Sequence, residues 1–214
     1  VKARLRTAAA AAALLAASGC SVVDDLSGDE PPESEYTQAE AYAPMEEAAA
    51  DAVAGLGDFP GFEQRSWAEM PCSHDGVDDD EYTAIEVRYR FSIADSATEQ
   101  VRDQYVATLR EHWTDAGYEI ATDDEVEGAE RTDRNLVAVR HDGISLWYAV
   151  GGYVGLYIGS GCVPVSEAGE IEYIPPTGGV EPGGPGDLVE EYFPDGIPTT
   201  HEALAPLNPP EGRA

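Results

Sequence analysis

The chain has 214 residues, a length that accommodates one domain with flanking segments. Its 42 acidic and 12 basic residues give a formal charge of -30, which argues against sequence-independent binding to nucleic acid and against electrostatic binding to anionic lipid, since both need clustered Lys and Arg. Hydrophobic residues make up 43% of the chain, enough for a modest core, so wholesale disorder is not expected.

In chain order, Lys2, Arg4 and Arg6 precede an apolar run from Ala8 to Ala17. Ten helical residues rise about 15 Å, half a bilayer core, so this run does not span a membrane and reads as a secretory signal. Ala17-Ser18-Gly19-Cys20 follows. It resembles the bacterial lipoprotein lipobox, with Ala17 where that family most often carries Leu. The resemblance implies that residues 1–19 are a lipoprotein signal peptide and that Cys20 is lipidated as the first mature residue. The protein is then expected on the extracytoplasmic side of the cell membrane, held there by lipid. Val1 reads as a translated GTG start, and the abundance of Ala, Gly and Arg resembles actinobacterial composition. Residues 20–214 hold nine Arg, no Lys and all 42 acidic residues, a bias shared by secreted proteins of high-GC bacteria and by those of halophiles.

Residues 20–36 are acidic, with Pro31-Pro32, and read as a flexible tether. Residues 37–165 carry periodic patterning. Tyr42, Met45, Ala49, Ala52, Val53 and Leu56 predict one amphipathic helix with Pro44 in its first turn. Val101, Tyr105, Leu109, His112, Trp113 and Ala116 predict a second, with a capping box at Ser96 and Glu99 and a C-cap at Gly117. Strict alternation over Ile85 to Ile93 predicts a half-buried strand, preceded by a shorter one over 63–70. Tyr118 to Ala121, Leu136 to Arg140, Ile144 to Val150 and Tyr153 to Ser160 complete a meander, turning at His141-Asp142-Gly143 and Gly151-Gly152. The expected fold class is α+β, an antiparallel sheet of five or six strands with two helices packed on one face. Residues 166–214 are rich in Pro and Gly and predict a mostly disordered acidic tail, with an apolar island at Leu188, Val189, Tyr192 and Phe193.

The chain has three cysteines. If lipid occupies Cys20, Cys72 after the first strand and Cys162 after the last remain as one expected disulfide in an oxidising compartment. Candidate chemistry is sparse. His74, Asp75, Asp78 and Asp80 make the densest group of potential metal ligands, suited to weak Ca²⁺ binding, although no calcium-loop pattern fits. A second acidic run from Asp123 begins like an EF-hand but has Arg134 where the bidentate Glu should stand. Both runs read first as solvated loops. No other cofactor is indicated. Arg88 and Arg90 share a strand face, and Arg140 on a neighbouring strand is a candidate third member of a ligand-binding positive patch. Trp147, Tyr148, Tyr153 and Tyr157 lie on the meander, and alternation must put some of them outside as stacking surface for sugar or protein.

These features favour a non-enzymatic, lipid-anchored envelope protein that binds a protein, a wall polymer or a small ligand, with the membrane as its partner through the lipid. Two alternatives stand beside it: a metal-assisted hydrolase built on His74, Asp75, Asp78 and Asp80, and a structural or regulatory module acting through the tail.

Overall fold

The computed structural model describes residues 34–74, 77–128 and 131–198; Cys20, most of the tether and residues 199–214 lie outside them. Helix α1 spans Gln38–Ala54. Thr37 caps it reciprocally: the Thr37 hydroxyl accepts from the Glu40 amide, and the Glu40 carboxylate accepts from the Thr37 amide at 2.9 Å. This cap starts the helix a full turn earlier than Pro44 suggests, so Pro44 lies inside the helix and leaves one carbonyl without its helical donor. Ala41, Tyr42, Met45, Ala48, Ala49 and Ala52 form the buried stripe.

Strands β1 (Gln64–His74) and β2 (Val77–Arg90) form a hairpin. Both run longer than the apolar pattern predicts. The acidic stretch Asp78 to Glu81 belongs to β2 rather than to a loop, because backbone pairing to Cys72 and Ser73 needs no apolar side chain where the strand is wet. Helix α2 (Tyr105–Asp115) is preceded by a 3-10 turn at Asp95–Ala97 and a π turn at Gln100–Gln104. The expected Ser96–Glu99 capping box is not formed. Ser96 Oγ accepts instead from the Val154 amide at 3.1 Å, and Thr98 Oγ1 accepts from the Val101 amide at 3.3 Å. Gly117 does end the helix, in the left-handed region at φ 78°.

Strands β3 (Glu119–Glu127), β4 (Thr132–Val139), β5 (Ser145–Val150) and β6 (Val154–Pro164) follow as an antiparallel meander. The run from Asp123 to Glu127 is thus an edge strand and not a loop; Arg110 of α2 clasps Asp123, and Arg134 of β4 reaches Glu125 at 3.2 Å. A two-residue strand β7 (Asp187–Leu188) pairs parallel with β1. The result is a seven-stranded mixed sheet, mostly antiparallel, in the order β3-β4-β5-β6-β2-β1-β7.

Tyr89, Leu156 and Tyr148 are direct partners across β2, β6 and β5, so they share one face. The Tyr89 hydroxyl donates to Glu46 of α1, and the Tyr148 hydroxyl donates to the Val101 carbonyl at 2.7 Å, ahead of α2. Both helices therefore cover the same face, and the core fills the space between.

The C-terminal segment departs most from expectation. Residues 166–198 wrap against the domain, and Tyr173, Val180, Asp187 and Val189 are buried. Tyr192 and Phe193 pack edge-on against Trp67 at 5.4 and 5.8 Å. Pro and Gly preclude long regular elements, yet an irregular chain packs when its few apolar and polar groups find partners. The chief partner is Arg65, fully buried in β1. Its Nη1 donates to Glu46 at 2.8 Å and to the Ile174 carbonyl at 2.6 Å; its Nε and Nη2 donate to Asp187 at 2.8 and 2.6 Å. Asp187 also accepts from the Tyr173 hydroxyl at 2.5 Å and the Gly183 amide at 2.9 Å. Burial works against the Arg65 charge, but Glu46, Tyr89 and Asp187 more than offset it and hold its pKa above the usual value.

Two stability predictions follow from this packing. Arg65→Met strands Glu46 and Asp187 without their cation and should cost about 3 to 5 kcal/mol in denaturant unfolding, with residues 166–198 becoming sensitive to protease. A wild-type midpoint and cleavage pattern would contradict that role. Cys72 and Cys162 are bonded, with Cα atoms 5.9 Å apart and 90 residues between them in sequence. Removing both sulfurs by Cys→Ala should lower stability by about 4 to 5 kcal/mol through the wider unfolded ensemble, measurable by the same titration under non-reducing conditions.

Candidate functional site

Among the described residues, no helix covers the second sheet face, and alternation decides what stands on it. On β5, Tyr148 points into the core while Trp147 points away and is 38% exposed. Trp147 pairs directly with Tyr157 on β6, and Tyr157 pairs directly with Arg88 on β2. The Trp147 and Tyr157 rings pack at 5.0 Å with a 33° tilt. The indole Nε1 donates to Asn135 Oδ1 on β4 at 3.1 Å, which holds the ring in one orientation. Gly155 lies two residues from Tyr157 on the same face. A Cβ there would fall 2.9 Å from both Tyr157 Cε2 and the Tyr89 carbonyl oxygen, so the tyrosine ring leans down over the glycine and lies along the sheet.

Arg90 is the direct partner of Gly155. Its guanidinium lies 4.9 Å above the centre of the Tyr153 ring, and Tyr153 is 48% exposed. One guanidinium nitrogen donates to the Gln64 side chain, while Nε is buried without an acceptor. No carboxylate among the described residues lies within 4 Å of Arg90, whereas Arg88 is paired to its own strand neighbour Glu86. The three aromatics and the two arginines therefore form one platform across β2, β6 and β5. At Arg88 it meets an open groove of about 660 Å³ along the β1 edge, lined on β1 by Ser66, Trp67, Ala68 and Glu69 and on the C-terminal side by Leu188, Glu191 and Tyr192. The Tyr192 hydroxyl is pushed up to about 12 by burial and by Glu69 and Glu191, so it stays a neutral hydrogen-bonding group there.

Arg140 does not join this patch. Its backbone pairs with Ile144, a fully buried core residue, which puts it on the helix-covered face, and β5 and β6 separate its strand from β2. It instead binds Asp142 at 2.7 Å, and Asp142 accepts from the Tyr36 hydroxyl at 3.0 Å, fastening the start of the domain. Of the candidate metal ligands, Asp75 and the His74 side chain lie outside the described parts. Asp78 accepts from Ser73 Oγ at 2.7 Å, and Asp78 and Asp80 are exposed at the hairpin end. Among the described residues, no three His, Cys, Asp or Glu side chains are placed to share an ion. His112 is a boundary residue, bound to Asp51 at 3.0 Å. Asn135 and Gln64 carry no local sequence signal, and the apolar island at Leu188 to Phe193 signals only the part of the groove that the C-terminal wrap supplies.

No family model matches this chain, and no characterised protein or solved structure matches it significantly.

The Asp142 cluster carries a pH dependence. Burial pushes the Asp142 carboxyl up, but Arg140, the Tyr36 hydroxyl and the Ile144 amide outweigh it and hold its pKa below the ordinary value. A carboxyl lowered in the folded state adds stability above the ordinary carboxylate range and loses it as pH falls through the lowered pKa. Asp142→Asn should therefore lower the melting temperature at neutral pH and flatten its fall in acid. Parallel melting curves for variant and wild type across that range would refute the assignment.

Proposed function

We propose that the protein is a non-enzymatic binding protein of the bacterial cell envelope, held at the membrane by lipid on Cys20, and that its uncovered sheet face is the binding surface. The platform of Trp147, Tyr157 and Tyr153 with Arg90 carries this reading. Large aromatics half open to solvent, held in place by a hydrogen bond and by a rigid sheet, bury much area on contact and lose little entropy. The bond between Cys72 and Cys162 supports the address. It suits an oxidising compartment, and it makes Cys20 the remaining one of the three cysteines. The capped start of α1 and the Tyr36–Asp142 contact fasten the domain where the tether enters it.

Expression of the full chain in a bacterium that processes lipoproteins tests both halves. The wild type should fractionate with membranes, with the mass of a diacylglycerol-modified Cys20, and Cys20→Ser should abolish that modification. The unlipidated chain should sediment with isolated cell envelopes, and the Trp147→Ala, Tyr157→Ala double variant should bind them at least about tenfold more weakly. An unmodified Cys20 would remove the anchor. Equal sedimentation of the double variant would remove the surface.

A further inference from the structure

The chemistry of the platform names its ligand more closely, on the premise that this face is the binding surface. We propose that it binds a sparsely acidic glycan of the cell envelope, a chain in which a carboxylate-bearing sugar recurs among uncharged ones. Sugar rings present flat C–H faces to aromatic rings, and two such rings lie side by side here. Tyr157 lies along the sheet over Gly155, and Trp147 is pinned by Asn135 with its outer surface open. Arg88 and Trp147 stand two strands apart, about 10 Å between backbones, so the row is long enough to seat successive rings of an extended polymer.

The cation decides the charge of the ligand. Among the described residues, Arg90 and Arg102 have no carboxylate within 4 Å. Arg102 donates to the carbonyls of Ser96, Gly151 and Thr132, so its donors are engaged inside the fold. Arg90 lies flat on Tyr153 beside the aromatic strip, with one terminal nitrogen on Gln64 and its Nε buried, so an arriving ligand meets the terminal nitrogens of the guanidinium. A guanidinium in that position recognises a carboxylate that arrives with the sugar stacked next to it. The formal charge of -30 sets an upper bound on ligand charge. A polyanion with a charge on every ring meets repulsion from the rest of the protein, whereas one carboxylate among neutral rings meets mainly Arg90, since more distant charges are screened beyond about 8 Å at physiological salt. The same repulsion disfavours nucleic acid, whose bases also stack on aromatics.

Trp147 makes the test direct. Trp67 and Trp113 are buried at 3% and 0% exposure, so a ligand-induced change in exposed tryptophan emission reports on Trp147. The full chain carrying Cys20→Ser is titrated with three probes: hyaluronan oligosaccharides, which alternate glucuronate with an uncharged sugar; chito-oligosaccharides, which are neutral; and oligogalacturonates, charged on every ring. Hyaluronan oligosaccharides should perturb Trp147 emission at the lowest concentration. Trp147→Ala should weaken their binding at least about tenfold by calorimetry, and Trp147→Phe, which keeps a ring, should retain part of it. Arg90→Gln should weaken hyaluronan binding about fivefold while leaving the neutral glycan unchanged. Melting temperatures equal to wild type confirm that these variants fold. If all three bind equally and Arg90→Gln changes nothing, the acidic character assigned to the ligand is overturned; if none of them binds, the glycan assignment itself is overturned. Envelope sedimentation that still depends on Trp147 and Tyr157 would then leave the surface to a protein partner, and the loss of both results would remove the surface itself.

Discussion

The Arg65 guanidinium is where helix α1, strand β1 and the C-terminal wrap meet. It has no access to water, and its charge is balanced by Glu46 from one side and Asp187 from the other. The hydrogen bonds around it are nearly complete: Trp67 Nε1 also reaches Glu46, the Thr177 amide donates to the Tyr89 hydroxyl, and the Trp67 and Tyr173 rings lie 5.2 and 5.4 Å from the guanidinium. Such a network adds little net energy over a well-packed apolar one, because desolvation offsets the attraction. Its consequence here is geometric. The apolar side chains of residues 166–198 are scattered without helical or strand periodicity, and an ion pair with fixed donor directions adds a specific anchor to their packing.

That path shapes the candidate surface. Asp187 faces Arg65 in the interior, so its neighbour Leu188 must face outward beside Ser66. Leu188, Glu191 and Tyr192 then line the groove along β1, with Leu188 beside Ser66 and Tyr192 against Trp67. The disulfide acts at the other end, linking β1 to β6 across β2. These two ties fix β1 at both ends, and Trp147 and Tyr157 stand on paired strands of the same sheet, with the indole held by Asn135. A binding surface of stacked rings benefits from this, since little side-chain freedom remains to be lost on contact.

The alternating signal was readable where one face of a strand is buried. Ile85, Val87 and Tyr89 are all inward, and the turns at Gly143 and Gly151 fall where the pattern stops. It failed where both faces are wet. Asp78 to Glu81 and Asp123 to Glu127 carry no hydrophobic signature, yet both pair as strands, because the ladder is made of backbone groups that composition does not report. Ser96 shows a second kind of failure. Its spacing to Glu99 suits a local cap, but its hydroxyl is taken by Val154, a partner 58 residues away that no local pattern contains. The platform was half legible: alternation separated Trp147 from Tyr148, while the neighbourhood of Arg90, Tyr153 and Gly155 required the register of β2 against β6.

From the amino acids alone came the α+β class, the two helices, the meander and the likeness to a lipoprotein leader, since each is written in short-range periodicity or in a contiguous motif. The pairing of Cys72 with Cys162 was also expected, once the likeness to a lipobox set Cys20 apart, and the two are bonded. Tertiary structure alone decided the course of residues 166–198, the burial of Arg65 and the exclusion of Arg140 from the face that Arg88 and Arg90 share. Those outcomes depend on groups far apart in sequence: Arg65 and Asp187 are separated by 122 residues, and Arg140 turned inward because its strand's register pairs it with Ile144. Charge and polarity along a chain say which groups need a partner; only the three-dimensional register says which partner is within reach.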